Sequence, residues 1–452
     1  MDWTLGHVAA ALAVEVPPAL ATMPIKDIVT DTRHMVVGGL FVALKGPRFD
    51  GHDLLTEAQQ AGAVAALVEA PVDSALPQLV CSDTRLGLGL LAAAARQAWQ
   101  GPLVAVTGNS GKTTVKDITA TLLASLGPVH STQGNLNNDI GAPLTLLALA
   151  PSHQAAVVEL GANHLGEIAW TTRLAQPKVA IITNVTGAHV GEFGGMGQIA
   201  QAKGEVLGGL QADGVAVLNR DDRYFAYWTA CAAPRRVISY SVEATADIYA
   251  EALSCDSQGR YAFTLNYQRR ALGRVQLPLL GKHNVSNALA AAAASLSLGV
   301  SEEQVIERLA CLTALPNRLS VLPGPRGAKV LNDTYNANPG AVKAALDTLV
   351  SLPGPHWCAL GAMGELGSDS RELHAEIGRY AAQLGVETFL TLGEAARPAS
   401  DAFDGGLHFN DHATLVRHLH NTLPPNASLL VKGSRSAGME HVVTALRTDE
   451  IR

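Results

Sequence analysis

The 452-residue sequence has few charged and few aromatic residues, and neither sign of charge dominates. Charged residues make up 16% of the chain, and 33 Lys and Arg against 40 Asp and Glu give a formal net charge of −7. A chain without a basic excess lacks the general attraction to nucleic acid and to anionic membrane surfaces. We therefore expect no nucleic-acid partner and no stable membrane association.

Cysteine is also scarce, and the sequence contains no C-x-x-C pair. The scattered cysteines are Cys81, Cys231, Cys255, Cys311 and Cys358. An odd, widely spaced set favours free thiols in a reducing compartment over a disulfide framework or a zinc site. The N-terminus lacks the basic segment of a signal peptide, and prolines interrupt the charge-free stretch at 140–158. These features predict a cytoplasmic protein.

The sequence is rich in hydrophobic residues, which account for 48% of the chain. High hydrophobicity with low charge excludes a disordered protein, and 43 glycines without a triplet period exclude collagen. At roughly 150 residues per domain, the length predicts about three globular domains.

Ala- and Leu-rich helical patches alternate with short β-branched runs, which is typical of βαβ units on a mostly parallel sheet. The predicted strands are residues 103–107, 155–160, 179–184, 215–219, 328–332, 357–360, 388–392 and 428–431. Breaks at 99–102 and 315–316 predict a small N-terminal α/β domain (1–100), a central P-loop-type doubly wound domain (101–314) and a C-terminal Rossmann-like domain (315–452). Alternating apolar and polar residues at 235–276 predict a small antiparallel insertion.

The strongest chemical signal is a hydrophobic strand that turns through glycines into a helix, at residues 103–117. Backbone N–H groups of such a loop converge on phosphate oxygens, Lys112 can reach the β- and γ-phosphates, and Thr113 can hold Mg²⁺. A strict P-loop has glycine at the position of Val106. The alternative is a glycine-rich turn that only reverses the chain, and the flanking strand and helix argue against it.

Two further residues follow strands of the same predicted sheet. Glu159 ends one strand and His189 follows another, so both would emerge at the edge that carries the phosphate loop. Alone, each is more often a surface residue than a functional one, but their convergence with the loop favours Mg²⁺ binding.

Three polar segments also have the character of binding loops: residues 133–141, 281–287 and 332–339. The asparagines and serine of the second could instead cap the following helix, and the third could be an ordinary turn.

Together these motifs resemble the Mur ligase family, the ATP-dependent amide-forming enzymes that build the peptide of bacterial cell-wall precursors. The segments at 132–145, 333–339 and 432–436 are most similar to members that add D-alanyl-D-alanine. The Asp-Asn-Pro-Arg segment of the diaminopimelate-adding members is absent from the sequence. Thr334 and Gly195 stand where serine is expected, and both are close to it in size.

The resemblance implies an ATP site that spans two domains. Asn287 would lie at the adenine, Arg318 at the phosphates and Asp333 at the ribose hydroxyls. The phosphate loop would contribute Thr107, Gly108, Asn109, Ser110, Gly111, Lys112, Thr113 and Thr114.

The resemblance also implies a catalytic set made of Lys112, Glu159, His189 and Lys203. Thr113 and Glu159 would ligate one Mg²⁺, and His189 would serve a second. Lys203 matches the lysine that family members carry as a carbamate, which replaces a cation with an oxygen anion able to bind Mg²⁺.

Two substrate sites are implied as well. The UDP-sugar-peptide site would contain Asp31, Thr32, Arg33, Lys45, Gly46, Asn135, Asn137 and Asn138. The D-alanyl-D-alanine site would contain Tyr335, Asn336, Asn338 and Arg435.

The activity implied is ATP-dependent joining of D-alanyl-D-alanine to UDP-N-acetylmuramoyl-tripeptide through an acyl phosphate, carried out by a monomer. The alternatives are a diaminopimelate- or lysine-adding relative, a folylpolyglutamate synthetase-like ligase, which would lack the module at residues 31–33, and a nucleotide switch that forms no bonds. The sequence leaves the third residue of the acceptor peptide and the general base open.

Overall fold

The computed structural model describes residues 3–186 and 193–448. In these ranges the strands form four sheets: a two-stranded and a four-stranded sheet before residue 81, a nine-stranded sheet from 103 to 280, and a six-stranded sheet from 320 to 432. The α/β class with a mostly parallel central sheet is confirmed. The division at 100/101 and 314/315 stays a prediction.

The N-terminal region pairs Trp3–Thr4 with Pro24–Ile25 and carries a parallel sheet in the order Ile28–Val29, Gly39–Val42, Ala63–Val68, Gln78–Val80. Its helices are Leu5–Leu12, Leu55–Gln60 and Thr84–Ala98. The last helix begins where the Asp83 side chain accepts a hydrogen bond from the backbone N–H of Leu86, the usual N-cap contact.

The middle sheet has the order Arg270–Leu280, Arg260–Tyr267, Ile248–Cys255, Arg236–Ser241, Val215–Asn219, Val179–Ile182, Leu103–Thr107, Ala155–Glu159, Val129–Ser131. Its helices are Lys112–Leu123, Gly141–Leu147, Glu167–Ala175, Met196–Gly204, Phe225–Ala232, Lys282–Ser297 and Glu302–Ala310. Separate apolar clusters cover the two faces of this sheet, so its strands are buried on both sides, as a doubly wound sheet requires.

The antiparallel insertion predicted at 235–276 is partly wrong. Arg236–Ser241 pairs in parallel with both Val215–Asn219 and Ile248–Cys255, and only the last three strands run antiparallel to one another. All of them extend the middle sheet. The alternation at 236–241 indicated a strand with two different faces, but a period of two carries no information on the direction of its neighbour.

The C-terminal sheet has the order Ser320–Pro323, Lys329–Asp333, Ser428–Lys432, His356–Gly361, Thr388–Leu392, Leu407–Phe409, and it is parallel except for its first strand. Its helices are Pro339–Val350, Ser370–Gln383, Arg397–Ala402, His412–Thr422 and Glu440–Leu446. Across the described part of the chain, no helix is long and apolar enough to cross a membrane.

Candidate active site

A cavity of about 1090 Å³ lies between the middle and C-terminal sheets. Most of the predicted site residues line it, and many of them follow the carboxyl ends of strands in both sheets, where α/β proteins bind ligands. The predicted residues that line it are Asn109, Ser110, Gly111, Lys112, Thr113, Thr114, Asn135, Asn137, Asn138, Glu159, Lys203, Asn287, Arg318, Asp333, Tyr335, Asn336, Asn338 and Arg435. Lys203 and Asn287 lie in helices, and Arg318 precedes the strand Ser320–Pro323.

Two glycines give the phosphate loop its shape. Gly108 has a φ of +140°, and a Cβ there would lie 1.9 Å from the Thr183 hydroxyl. Gly111 has a φ of +82°, and a Cβ there would lie 2.5 Å from the Asn287 amide oxygen. Thr107 is buried behind the loop, where its hydroxyl donates to the Leu160 carbonyl. Only glycine fits either turn without displacing its neighbour.

Lys112 lies on the backbone of its own loop. Its Nζ donates to the carbonyls of Gly108 and Asn109 at 2.8 and 3.1 Å. Burial lowers the pKa of this ammonium group, and nearby Arg318 adds to the shift, while Glu159 opposes it. These contacts hold the cation at the surface of the loop. An anion bound by the backbone N–H groups of the loop would be within its reach.

Glu159 has both carboxylate oxygens held by hydrogen bonds. Oε2 accepts from the Thr113 hydroxyl at 2.7 Å, and Oε1 accepts from the Asn137 amide at 2.8 Å. The side chain is nearly fully buried. A carboxylate beside a hydroxyl is the hard oxygen donor set that suits Mg²⁺, so these residues fit the ion. In the structure Asn137, predicted at the sugar-nucleotide site, contacts this carboxylate.

His189 lies outside the described residues. Among residues 3–186 and 193–448, no group of three or more His, Cys, Asp or Glu side chains is arranged to hold a metal ion.

Lys203 is only 1% exposed, yet its side chain lines the cavity. Nζ lies 3.4 Å from the Ala162 carbonyl and 5.5 Å from the centre of the Phe193 ring. Burial and the neighbouring Lys112 lower the pKa of Lys203 to about 7. A large part of this amine is therefore neutral near pH 7, which is the form that reacts with CO₂.

The C-terminal wall contains a buried ion pair that the sequence did not reveal. Lys432 Nζ lies 2.5 Å from Asp333 Oδ2 and donates to the Asn336 carbonyl at 2.9 Å. The two residues are direct neighbours on parallel strands. Beside them, the Arg318 guanidinium lies 4.0 Å from the centre of the Tyr335 ring. Lys432 therefore fixes one oxygen of the carboxylate that the motif places at the ribose.

Asn338 connects the two walls of the cavity. Its side-chain oxygen accepts from the Ala341 N–H, which caps the helix Pro339–Val350, and its amide lies 3.3 Å from the Ser110 hydroxyl of the phosphate loop. The start of this C-terminal helix thus contacts the loop directly.

Asn284 and Asn184 are two further polar residues that the sequence analysis left without a role. Asn284 accepts from the Asn287 amide and donates to the Leu280 carbonyl, which orients Asn287. Asn184 accepts from the Ser110 N–H. The available signals were the place of Asn284 in the 281–287 motif and the place of Asn184 at the end of the strand predicted at 179–184.

The predicted N-terminal residues lie apart from the cavity lining. Arg33 is exposed and pairs with Asp31 through Nε and Nη2 at 2.9 and 2.7 Å. The Thr32 hydroxyl donates to Glu57 at 2.6 Å.

The turn at residues 45–50 supplies the other predicted N-terminal contacts. Lys45 lies 3.5 Å from Asp50. A Cβ at Gly46 would overlap the exposed ring of Phe49. The two turns therefore present cations at the surface of the N-terminal region.

An ion pair joins the N-terminal region to the asparagine-rich loop. Arg85 Nη1 lies 2.9 Å from Asp139 Oδ2, next to Asn138, whose side chain accepts from the Gly141 N–H at the start of a helix. The loop that carries Asn135 thus contacts the N-terminal helix Thr84–Ala98 while it lines the cavity.

Three family models match the chain in order. The Mur ligase family catalytic domain matches residues 24–94, the Mur ligase middle domain matches 106–295, and the Mur ligase glutamate ligase domain matches 317–435. Their succession follows the three groups of sheets.

Individual relatives match over nearly the full length. UDP-N-acetylmuramoyl-tripeptide--D-alanyl-D-alanine ligase of Escherichia coli K12 is 43% identical over 430 residues, covering 94% of this chain and 95% of the relative. The crystal structure of MurF from Acinetobacter baumannii, 36% identical, covers 98% of both chains with a TM-score of 0.93. MurF ligase from Thermotoga maritima in complex with ADP, 28% identical, covers 93% of this chain and 96% of its own with a TM-score of 0.84. The chain belongs to the Mur ligase family.

Proposed function

We propose that the protein joins D-alanyl-D-alanine to UDP-N-acetylmuramoyl-tripeptide, with ATP as the energy source, and that it does so in the cytoplasm. The observation that carries the proposal is the shared cavity, in which a phosphate loop meets Arg318 and Asp333 of the other sheet. The printed activity of the Escherichia coli relative supplies the substrates. The five free thiols fit a reducing compartment.

The proposed nucleotide site follows the geometry of the two walls. Backbone N–H groups from Gly111 to Thr114 and the Lys112 ammonium bind the phosphates, and Arg318 approaches them from the other wall. The N–H groups of Asn109 and Ser110 donate to Asn184 and hold the loop in shape. Asn287, oriented by Asn284, lies at the adenine. Asp333 presents its second oxygen to the ribose while Lys432 holds the first.

The reaction we propose begins when the terminal carboxylate of the tripeptide attacks the γ-phosphate. This gives an acyl phosphate and ADP, and the amine of the dipeptide then forms the amide and releases phosphate. Lys112 offsets the charge on the transferred group, and the closed walls exclude the water that would hydrolyse the acyl phosphate. Thr113 and Glu159 would hold Mg²⁺, which supplies Lewis-acid stabilisation of the phosphoryl oxygens.

Lys203 is proposed to act as a carbamate. Its pKa of about 7 leaves neutral amine available for CO₂ near pH 7, and the ammonium form increases as the pH falls below that value. We therefore expect the carbamate, and with it ligase activity, to decline on acidification. His189 is proposed to serve a second Mg²⁺.

The remaining residues are proposed to bind the other substrates. Arg33 and Lys45 would contact the diphosphate of the sugar nucleotide, Asp31 would orient Arg33, and Gly46 would allow close approach of the backbone. Asn135 and Asn138 would contact the sugar-peptide, and Thr32 supports the turn through Glu57. The dipeptide would meet Tyr335, Asn336, Asn338 and Arg435.

The test is phosphate release by the purified protein with ATP and Mg²⁺. UDP-N-acetylmuramoyl-tripeptide and D-alanyl-D-alanine are supplied separately and then together. We expect release only with both, and a pentapeptide product by mass spectrometry. Release with neither, or only with a different pair of acceptor and amine, would overturn the substrate assignment.

A further inference from the structure

A carboxylate without an assigned role, Glu365, lies on the C-terminal wall of the cavity. It follows the strand His356–Gly361, whose carboxyl end faces the cavity. Of the lining residues in the described ranges, the C-terminal region contributes two carboxylates, Asp333 and Glu365. Glu365 is exposed and lines the cavity, so a ligand in the cavity can contact it.

The loop that carries Glu365 is anchored on both sides. Met363 and Leu366 are buried in the C-terminal core. The backbone N–H of Met363 donates to Nε2 of the fully buried His374 at 3.0 Å, and Nδ1 of that ring donates to the Ser370 carbonyl at 2.7 Å. These contacts fix the backbone of Glu365 in a position that the loop alone would not maintain.

Glu365 also adopts a left-handed backbone conformation, with a φ of +60°. Residues with a side chain rarely adopt it because Cβ approaches the following carbonyl oxygen. Glycine would be unstrained at this position, and the loop already contains glycines nearby, at Gly364 and Gly367. Strain at a residue that lines a cavity is typical of a side chain retained for function.

The charge of this carboxylate acts on two lysines of the middle region that line the same cavity. Burial lowers the pKa of both Lys112 and Lys203, and the negative charge of Glu365 opposes that shift at both ammonium groups. Under the proposed function, the acyl phosphate forms beside these two lysines. Glu365 lines the same cavity, so an amine that attacks the acyl phosphate there can be held by this carboxylate.

We infer that Glu365 binds the α-ammonium group of the incoming dipeptide, accepts one proton from it, and so holds the neutral amine toward the acyl phosphate. The amine nitrogen then forms the amide bond as the bond from carbon to the phosphate oxygen breaks, and its second proton leaves with the phosphate. The inference rests on the proposed function and extends it to the amine subsite. An α-amino group has a pKa near 8, so the dipeptide arrives as a cation at neutral pH. Carboxylate and ammonium form a strong charge-assisted hydrogen bond, and Arg435 at the same cavity can bind the dipeptide carboxylate.

The first test is Glu365→Gln, which keeps the size and hydrogen-bonding capacity of the side chain and removes its charge. We expect the KM for D-alanyl-D-alanine to rise at least about tenfold, equivalent to about 1.4 kcal/mol of binding. The KM values for ATP and for UDP-N-acetylmuramoyl-tripeptide should stay within about twofold. The site is exposed, so folding should be unaffected.

A second variant separates the carboxylate from the backbone strain. Glu365→Gly relieves the strain and should raise the dipeptide KM as much as Glu365→Gln. Propionyl-D-alanine, which lacks the amine, should inhibit the wild type and both variants with equal affinity. Glu394→Gln, an exposed carboxylate of the same region outside this cavity, is the matched control and should leave all three KM values unchanged.

The inference is overturned if Glu365→Gln leaves the dipeptide KM within twofold, or if it raises the Mg²⁺ requirement or the KM for ATP instead. It is also overturned if Glu365→Gly behaves as wild type. If the wild type uses a different amine, the proposed function fails, and the same KM comparison with that amine decides the inference separately.

Discussion

The turn at residues 31–33 and the phosphate loop at 107–114 both present a cation suited to phosphate oxygens, and they hold it in opposite ways. Lys112 is half-buried and donates to loop carbonyls, between glycines whose neighbours leave no room for a Cβ. The Arg33 side chain is 80% exposed and is held by the carboxylate of Asp31. The phosphate loop is preorganised and lies in surroundings of low dielectric constant. The turn depends on an exposed ion pair, which contributes little free energy. The difference supports the proposal that the loop acts on the reacting phosphate, whereas the turn binds the sugar nucleotide.

The largest expected effect is on the rate of ligation, when the buried Lys203 is replaced. Lys203→Ala should lower the rate of ligation by about 10³, because the cavity loses the group proposed to carry the carbamate. The readout is phosphate release with both substrates present. Lys178→Ala, which removes a partly exposed lysine paired with Asp213, is the control. A rate near wild type, without an added carboxylic acid, would contradict the carbamate proposal.

The next effect concerns the ion pair behind the proposed ribose contact. Lys432→Met should lower the free energy of unfolding by about 3 kcal/mol, because it leaves the Asp333 carboxylate unpaired in a largely buried site. Urea denaturation measures the loss, and Lys329→Met at the other end of the neighbouring strand is the control.

A second substitution sharpens that result. Adding Asp333→Asn to Lys432→Met should recover much of the stability, since no unpaired charge remains. The KM for ATP should exceed that of the wild type, because the carboxylate proposed to bind the ribose is gone. Recovery of ATP binding together with stability would show that neither residue contacts the nucleotide.

Asp31→Ala tests the exposed turn at residues 31–33, which is proposed to bind the sugar nucleotide. The carboxylate holds the guanidinium of Arg33 and accepts from its backbone N–H. Its loss frees the arginine side chain, so the KM for the sugar nucleotide should rise about fivefold, with the KM for ATP unchanged. Steady-state kinetics with each substrate varied in turn provides the measurement. An increase confined to ATP would refute the assignment of this region.

The smallest effect is expected at Thr32. Its hydroxyl is already bonded to Glu57, so Thr32→Val should cost about 1 kcal/mol of stability and leave the KM for the sugar nucleotide unchanged. A raised KM with unaltered stability would assign the hydroxyl to the ligand instead.

The sequence predicted the phosphate loop and most of the residues that meet at the cavity, because strand, glycines and helix follow one another over fifteen residues. It missed the pairing of Asp333 with Lys432, since 99 residues separate them and only the strand order brings them together. For the same reason it did not predict the contact between Asn137 and Glu159, and it gave Arg236–Ser241 the wrong direction. Local sequence patterns indicate helices and strands. Which side chains and strands contact one another depends on the order of the strands in the sheets.

The proposal that the N-terminal turn binds the sugar nucleotide while the shared cavity binds ATP is tested most directly by comparing Arg33→Ala with Arg318→Ala. The KM for ATP and the KM for the sugar nucleotide are measured for both variants. We expect Arg33→Ala to raise the KM for the sugar nucleotide about tenfold and Arg318→Ala to raise the KM for ATP about tenfold, each leaving the other KM within about twofold. Crossed effects, or equal increases in both constants for both variants, would contradict the account.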